Sequence, residues 1–101
     1  MKELKGAQRK YLRGLAHNLN PSAYVGQKGL TPALIEEIDL ALTATELIKL
    51  KFVEFKLKAQ KNEILDQVLA QTGAQLAGMI GHVAILYRRH ADKEKRSITL
   101  P

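Results

Sequence analysis

The sequence contains no cysteine and no tryptophan, and it has only three tyrosines and two phenylalanines among 101 residues. Without cysteine, a disulfide framework, a thiolate nucleophile and a cysteine-based zinc site are all excluded. The shortage of aromatic rings leaves little material for a platform on which nucleic-acid bases could stack. Any nucleic-acid recognition is therefore expected to use backbone contacts or shape more than readout of bases.

Long apolar runs are lacking as well. None approaches the roughly 20 residues that a membrane-spanning helix needs, and the opening residues have no apolar region of the kind found in signal peptides. We expect a cytoplasmic protein that forms one domain over residues 1–101 and works as a monomer. Residues 90–101 are predicted to be a polar tail, within which Ile98 and Leu100 are candidates to return to the core.

Catalytic motifs are also missing from this sequence. The histidines, His17, His82 and His90, lie at predicted element ends and lack a metal-ligand spacing such as HExxH. No Walker, GxGxxG or GxSxG motif occurs. We therefore expect no enzyme activity, no catalytic residues, no metal, no cofactor and no small-molecule substrate. The enzyme alternative would require these histidines and the carboxylates to converge in one pocket.

Positive charge is abundant and unevenly distributed. The formal net charge is +6, which favours nucleic acid or an acidic surface as a partner. The basic clusters are Lys2, Lys5, Arg9, Lys10 and Arg13 near the start, and Arg88, Arg89, Lys93, Lys95 and Arg96 near the end. The acidic residues Glu36, Glu37 and Asp39 lie together in the middle, on a surface that we expect to face away from nucleic acid.

Hydrophobic periodicity predicts seven elements in the order helix, strand, helix, strand, helix, strand, strand. The predicted helices cover 4–17, 31–43 and 58–72, and the strands cover 22–25, 47–55, 74–80 and 83–88. Thr31 is a suitable N-cap, Pro32 suits the first helical position, and Gly73 suits a helix end. Alternation of strands with helices indicates an α/β fold with a mixed sheet.

The first predicted helix has two distinct faces. An apolar stripe is expected to face the core; its members are Leu4, Tyr11, Leu12, Leu15 and Leu19. A basic face is expected on another side; its members are Lys2, Lys5, Arg9 and Arg13. This face is either a phosphate-binding surface or an ordinary solvated helix surface, and the residues alone leave both open.

A short glycine motif, Gly26-Gln27-Lys28-Gly29, connects the first predicted strand to the second helix. Backbone N–H groups near a helix N-terminus, together with the helix dipole, favour binding of an anion such as phosphate. The alternative is that the two glycines only form a tight turn between strand and helix.

Two further features have structural interpretations. Lys49 and Lys51 alternate with apolar residues in the second strand, and we interpret them as protection of an edge strand rather than as phosphate contacts. A second GxxG, Gly78 to Gly81, lies within the predicted hairpin with no helix after it. It is expected to serve strand geometry through a bulge, a turn or a close backbone approach.

Four motifs in this order resemble the CRM domain (chloroplast RNA splicing and ribosome maturation), and more narrowly the stand-alone bacterial YhbY family. They are Leu12–His17 with Leu19 and Pro21, Val25–Thr31, Glu46–Lys51, and Ile80–Gly81 with Ile85–Arg88. The resemblance implies a four-stranded mixed sheet with three helices, similar to the C-terminal domain of translation initiation factor three. It also implies RNA binding without catalysis, on large-subunit ribosomal RNA or its precursor particle (pre-50S), whereas plant relatives serve intron splicing.

This resemblance, together with the basic end of the last strand, gives RNA-binding residues in the loop, in the first helix and after the last strand. They are Gly26, Gln27, Lys28 and Gly29; Lys5, Arg9, Lys10 and Arg13; and Arg88 and Arg89, of which Arg88 is also a candidate structural residue. The alternative function is a protein-interaction module that docks a ribosomal protein through the acidic face of the second helix or the lysine-bearing strand.

Overall fold

A computed structural model describes residues 3–101, and its elements follow the predicted order. The helices are α1 (Gly6–Ala16), α2 (Pro32–Thr45) and α3 (Lys58–Thr72), and the strands are β1 (Ala23–Val25), β2 (Leu47–Phe52), β3 (Gln75–Ile80) and β4 (Val83–Tyr87). A short 3-10 helix, Lys93–Lys95, lies in the tail. The α/β class and the element order are thus confirmed.

Two predicted elements were too long by three residues each. Helix α1 was predicted over 4–17 but covers only Gly6–Ala16. Strand β2 was predicted to reach residue 55 but ends at Phe52, because the amides of Val53 and Glu54 both donate to the Val25 carbonyl at 3.0 and 3.1 Å. The chain then bends across the end of β1, and Phe55 adopts a φ of +56°.

The four strands form one mixed sheet in the order β1-β2-β4-β3. Strand β1 pairs with β2 in parallel, and the other two pairs are antiparallel. Strand β2 therefore has a neighbour on each side, so the interpretation of Lys49 and Lys51 as edge-strand protection was wrong. Strand β4 is also central, and its residues Ala84 to Tyr87 are all buried.

Helices α2 and α3 cover one face of the sheet with the larger apolar core. Alternate residues of β2, Ile48, Leu50 and Phe52, point into this core. The predicted helix ends are confirmed: the Thr31 hydroxyl accepts a hydrogen bond from the Leu34 amide at 3.1 Å, and α3 ends at Gly73 with a φ of +74°.

Helix α1 packs on the opposite face of the sheet, in an orientation that differs from the predicted one. Leu12 and Ala16 are fully buried, whereas Tyr11, Leu15 and Leu19 are 42%, 42% and 41% exposed. The predicted apolar stripe was therefore wrong for these three residues. The helix instead presents its small Ala16 to a cluster that includes the fully buried Ala77 of β3, since small side chains permit a close approach.

The tail after β4 returns across the α1 side of the molecule. Ile98 and Leu100 pack against the cluster that contains Leu12. The buried carboxylate of Glu46 holds this tail by accepting hydrogen bonds from the amides of His90, Ser97 and Ile98 at 2.8, 2.7 and 3.1 Å. Burial alone would raise the pKa of Glu46, but these amides and the Ser97 hydroxyl together lower the pKa below its ordinary value.

Candidate nucleic-acid interface

The Gly26–Gly29 loop closes as a tight turn whose tip faces solvent. The Gly29 amide donates to the Gly26 carbonyl at 3.0 Å, and Gln27 and Lys28 between them are exposed. Gly29 has a φ of +64°, and a Cβ at this position would lie 3.4 Å from the ring of Phe55. The positive φ explains why glycine occupies the last position of the motif, whereas the distance to Phe55 is an ordinary van der Waals contact.

The tip of this loop offers more free backbone N–H donors to an anion than the start of α2 does. Among the described residues, the amides of Gln27 and Lys28 have no hydrogen-bond partner. By contrast, Pro32 lacks an N–H, and the Leu34 amide donates to the Thr31 hydroxyl. The capped helix end is therefore a poorer anion site than the sequence pattern indicated.

The loop borders an open cleft of about 420 Å³ at the edge of the sheet. The cleft is lined by the glycine loop, by Tyr24 of β1 and by the first turns of α2. Lys28 supplies a positive charge there, and Glu37 on α2 supplies a negative one. An anion would therefore be favoured on the Lys28 side of the cleft, away from α2.

Further groups meet at the same end of the sheet. The turn between β3 and β4 lies beside the end of β2, because the Phe52 amide donates to the His82 carbonyl at 2.7 Å. From α3, the Lys61 ammonium donates to the Gly81 carbonyl at 3.1 Å and lies 3.3 Å from Nδ1 of His82. Lys61 was not among the predicted site residues, since its proximity depends on how α3 packs.

The basic residues of α1 fall into two groups. The guanidinium of Arg9 donates to the Leu4 carbonyl at 2.7 Å, and that of Arg13 donates to the Ala77 carbonyl at 2.9 Å. Lys5 and Lys10 are exposed, while Lys2 lies outside the described residues. The two lysines are thus available to a partner. Each arginine can offer a partner only those of its five N–H donors that do not already bind a carbonyl of the fold.

The rotation of α1 explains why its arginines contact the fold. Residues three apart on a helix differ by about 60° around its axis, at about 100° per residue. Arg9 therefore lies next to buried Leu12, and Arg13 next to buried Ala16. Both arginines lie at the border of the buried face. The sequence pattern had instead placed them on a separate side of the helix.

The second GxxG serves strand geometry, as predicted. The register of β3 shifts between Leu76 and Gly78, which marks a β-bulge, and Gly81 turns the chain with a φ of +60°. A Cβ at Gly78 would come within 2.5 Å of Cδ of Arg13. The glycine thus leaves space for the arginine stem.

Arg88 has extensive contacts within the fold. Its guanidinium forms an ion pair with Asp39 of α2 and donates to the Thr43 hydroxyl at 2.9 Å and to the Thr72 carbonyl at 2.8 Å. It therefore joins the end of β4 to α2 and α3. The neighbouring Arg89 is exposed.

The predicted site residues do not form one cluster. Leu47 pairs with Tyr87 at one end of β2, and Phe52 pairs with Val25 at the other. These ends are about 17 Å apart at about 3.4 Å per residue. Arg88 and Arg89 follow Tyr87, so they lie at the end of the sheet opposite the glycine loop.

Within residues 3–101, no group of three or more histidines and acids is arranged to hold a metal ion. In the same part of the chain, no helix combines the length and apolar character that crossing a membrane requires.

Comparison with known proteins identifies the family. The chain is 39% identical over 101 residues to an RNA-binding protein of Haemophilus influenzae, covering 100% of this chain and 98% of the relative. It is 35% identical over 98 residues to "Probable RNA-binding protein YqeI" of Bacillus subtilis, covering 97% and 99%.

A solved structure shares the fold. The solution structure of the hypothetical protein SAV1595 from Staphylococcus aureus, described as a candidate RNA-binding protein, matches with a TM-score of 0.81 at 33% identity. The match covers 97% of this chain and 99% of that one. The family model of the CRS1/YhbY (CRM) domain matches residues 4–88. The chain therefore belongs to the CRS1/YhbY (CRM) domain family.

Proposed function

We propose that this protein binds RNA without catalysing a reaction, and that the Gly26–Gly29 loop contacts a phosphate. The observation that carries the proposal is the exposed loop tip, which carries the Lys28 side chain and two amides that have no partner within residues 3–101. The names of the relatives support RNA as the ligand. The net charge of +6 supplies the long-range attraction that phosphates require.

The proposed target is large-subunit ribosomal RNA or a precursor of the large subunit in the cytoplasm, bound by a monomer. This target follows from the family resemblance of the four ordered motifs. The basic surface of α1 would extend the contact through Lys5 and Lys10, with the remaining donors of Arg9 and Arg13. Arg89 would make a separate contact, and Arg88 would act mainly by holding β4 against α2 and α3.

Salt-dependent binding to structured ribosomal RNA fragments tests the loop contact. Loss of one phosphate contact should flatten the slope of log K against log salt by about 0.9 for a duplex or about 0.7 for a single strand. We expect Lys28→Ala to flatten the slope by this amount and to weaken binding about fivefold at 0.1 M salt. Lys93→Ala removes another exposed lysine, from the tail, and is the matched control.

The same titration tests the helix through Lys5→Ala. If Lys28→Ala and Lys5→Ala both keep the affinity and the slope of the unaltered protein, the proposed surface is wrong. If only Lys28→Ala is neutral, the helix binds RNA and the loop is merely a turn.

Docking of a ribosomal protein is the alternative function, and one observation counts against its acidic surface. Of the three acids on α2, Asp39 is paired with Arg88, whereas Glu36 and Glu37 form no ion pair with any residue that the structure describes. Sedimentation after RNase treatment distinguishes the two functions. Release from large-subunit particles by RNase supports RNA binding, whereas continued association with a ribosomal protein supports docking.

A further inference from the structure

Part of the sheet on the α1 side is left uncovered next to the glycine loop. Helix α1 ends at Ala16, and the Lys49 ammonium donates to the carbonyl of His17 just beyond it at 3.2 Å. The next row of side chains toward the loop lies past this contact. Strand register shows that this row crosses all four strands: Tyr24 pairs with Lys51, Lys51 with Val83, and Val83 with Ile80.

These four residues, which we call the open row, share one face of the sheet. Their strand neighbours Val25, Phe52, Ala84 and Met79 all point into the core under α2 and α3. Because successive side chains of a strand alternate between faces, the open row points to the other side. The row spans about 14 Å, which is three interstrand spacings of about 4.8 Å.

The open row combines an aromatic ring, a cation and aliphatic surface. Tyr24 is 52% exposed and Ile80 is 60% exposed, while Lys51 is exposed and Val83 is partly buried. A flat ring beside an ammonium group suits a nucleotide, whose base stacks on the ring while a phosphate meets the cation. The absence of acidic side chains from the row fits a polyanion better than it fits an acidic or neutral protein surface.

The position of Tyr24 connects the open row to the glycine loop. Tyr24 lies two residues before Gly26 and lines the same cleft as Gln27 and Lys28. A base stacked on its ring would therefore have an adjoining phosphate within reach of the loop. Bases in a duplex have their faces covered by neighbouring bases, so only an unpaired nucleotide can use this ring.

We propose that the open row binds unpaired RNA, with a base stacked on Tyr24 and a phosphate near Lys51. This inference rests on the proposed RNA-binding function and deepens it, because it specifies a single-stranded segment or bulge adjoining the phosphate at the loop. It also revises the expectation that the few aromatic residues of the chain would leave base stacking out of recognition.

The experiment compares Tyr24→Ala with Tyr24→Phe, using a short single-stranded RNA and the same RNA with abasic residues in place of its bases. Stacking on one ring, measured by truncation to alanine, corresponds to a loss of about tenfold in affinity. We expect Tyr24→Ala to weaken binding to the intact RNA about tenfold without changing the salt slope, and Tyr24→Phe to bind within about twofold of the unaltered protein. Lys51→Ala should flatten the salt slope by about 0.7.

Matched controls separate this proposal from the broader one. Tyr11→Ala removes a tyrosine of similar exposure from the outer side of α1 and should leave the affinity unchanged. The unaltered protein should bind the abasic RNA about as weakly as Tyr24→Ala binds the intact RNA, and this arm needs no variant to fold. Equal binding of intact and abasic RNA would overturn the open-row proposal while leaving RNA binding in place. Absence of binding to any RNA would overturn the proposed function itself.

Discussion

At the scale of single residues, several side chains act through partners that are distant in sequence. Gly78 and Arg13 are an example, since a Cβ at Gly78 would lie 2.5 Å from Cδ and 3.2 Å from Cγ of Arg13. The sequence predicted that Gly78 serves strand geometry, because no helix follows its motif. It could not predict Arg13 as the partner of Gly78, because the position of α1 over β3 depends on tertiary packing.

This pair yields a prediction for stability. In Gly78→Ala the new methyl group displaces the middle of the Arg13 stem and breaks its hydrogen bond to the Ala77 carbonyl. We expect a loss of about 1 to 2 kcal/mol in the free energy of unfolding, measured by urea denaturation. The loss should largely disappear in an Arg13→Ala background, where the stem is absent. An equal loss in both backgrounds would show that the clash with Arg13 is not the cause.

At the scale of elements, local signals located helices and strands better than they oriented them. The N-cap at Thr31 and the stop at Gly73 depend on adjacent residues, and both were predicted correctly. The buried face of α1 was predicted only in part: Leu12 is buried, but Tyr11 and Leu15 of the same predicted stripe are exposed, because packing against the sheet sets the rotation of the helix. The tail packs on the same side, since Ile98 and Leu100 contact the cluster that contains Leu12.

The rotation of α1 makes two leucines of the same helix unequal. Leu12 is fully buried and Leu15 is 42% exposed. Truncation of a buried leucine to alanine costs about 2 to 5 kcal/mol, whereas exposed positions change stability by about 0.5 kcal/mol or less. We expect Leu12→Ala to lower the free energy of unfolding by the larger amount and Leu15→Ala to leave it nearly unchanged. Helix propensity cancels between the two variants, so similar losses in denaturant titrations would contradict the observed orientation.

At the scale of the whole molecule, the fold brings different parts of the predicted site to opposite ends of the sheet. The order of elements was predictable because each has its own periodicity. Strand order was not predictable from these local patterns. Because the observed order makes β2 a central strand, Lys51 does not protect a sheet edge and instead belongs to the open row. The candidate surface is therefore best described as the glycine loop with the adjoining uncovered sheet, and the arginines after β4 belong to a separate region.

Glu46 makes the stability of the folded chain depend on pH. Its pKa in the folded protein is lowered because amide donors outweigh the effect of burial, so the ionised form is favoured in the folded state relative to the unfolded chain. The resulting stabilisation is fully present above the unfolded pKa of about 4.5 and is lost as the pH falls through the lower folded value. Protonation weakens the acceptor for the amides of Ser97 and Ile98, because a charge-assisted hydrogen bond becomes a neutral one, so the tail should be released first.

A comparison with Glu46→Gln isolates this contribution from those of the other carboxylates. At pH 7 the variant should be less stable by about 1 to 3 kcal/mol, because charge-assisted hydrogen bonds become neutral ones. Below pH 4.5 the difference between the two proteins should shrink, because protons then bind Glu46 of the unfolded chain first and Glu46 of the folded protein at its lower pKa. Hydrogen exchange should show faster exchange at the Ser97 and Ile98 amides in the variant at pH 7, while the amides of β4 stay protected. A stability difference that is constant from pH 7 to pH 3 would mean that the charge of Glu46 does not hold the tail.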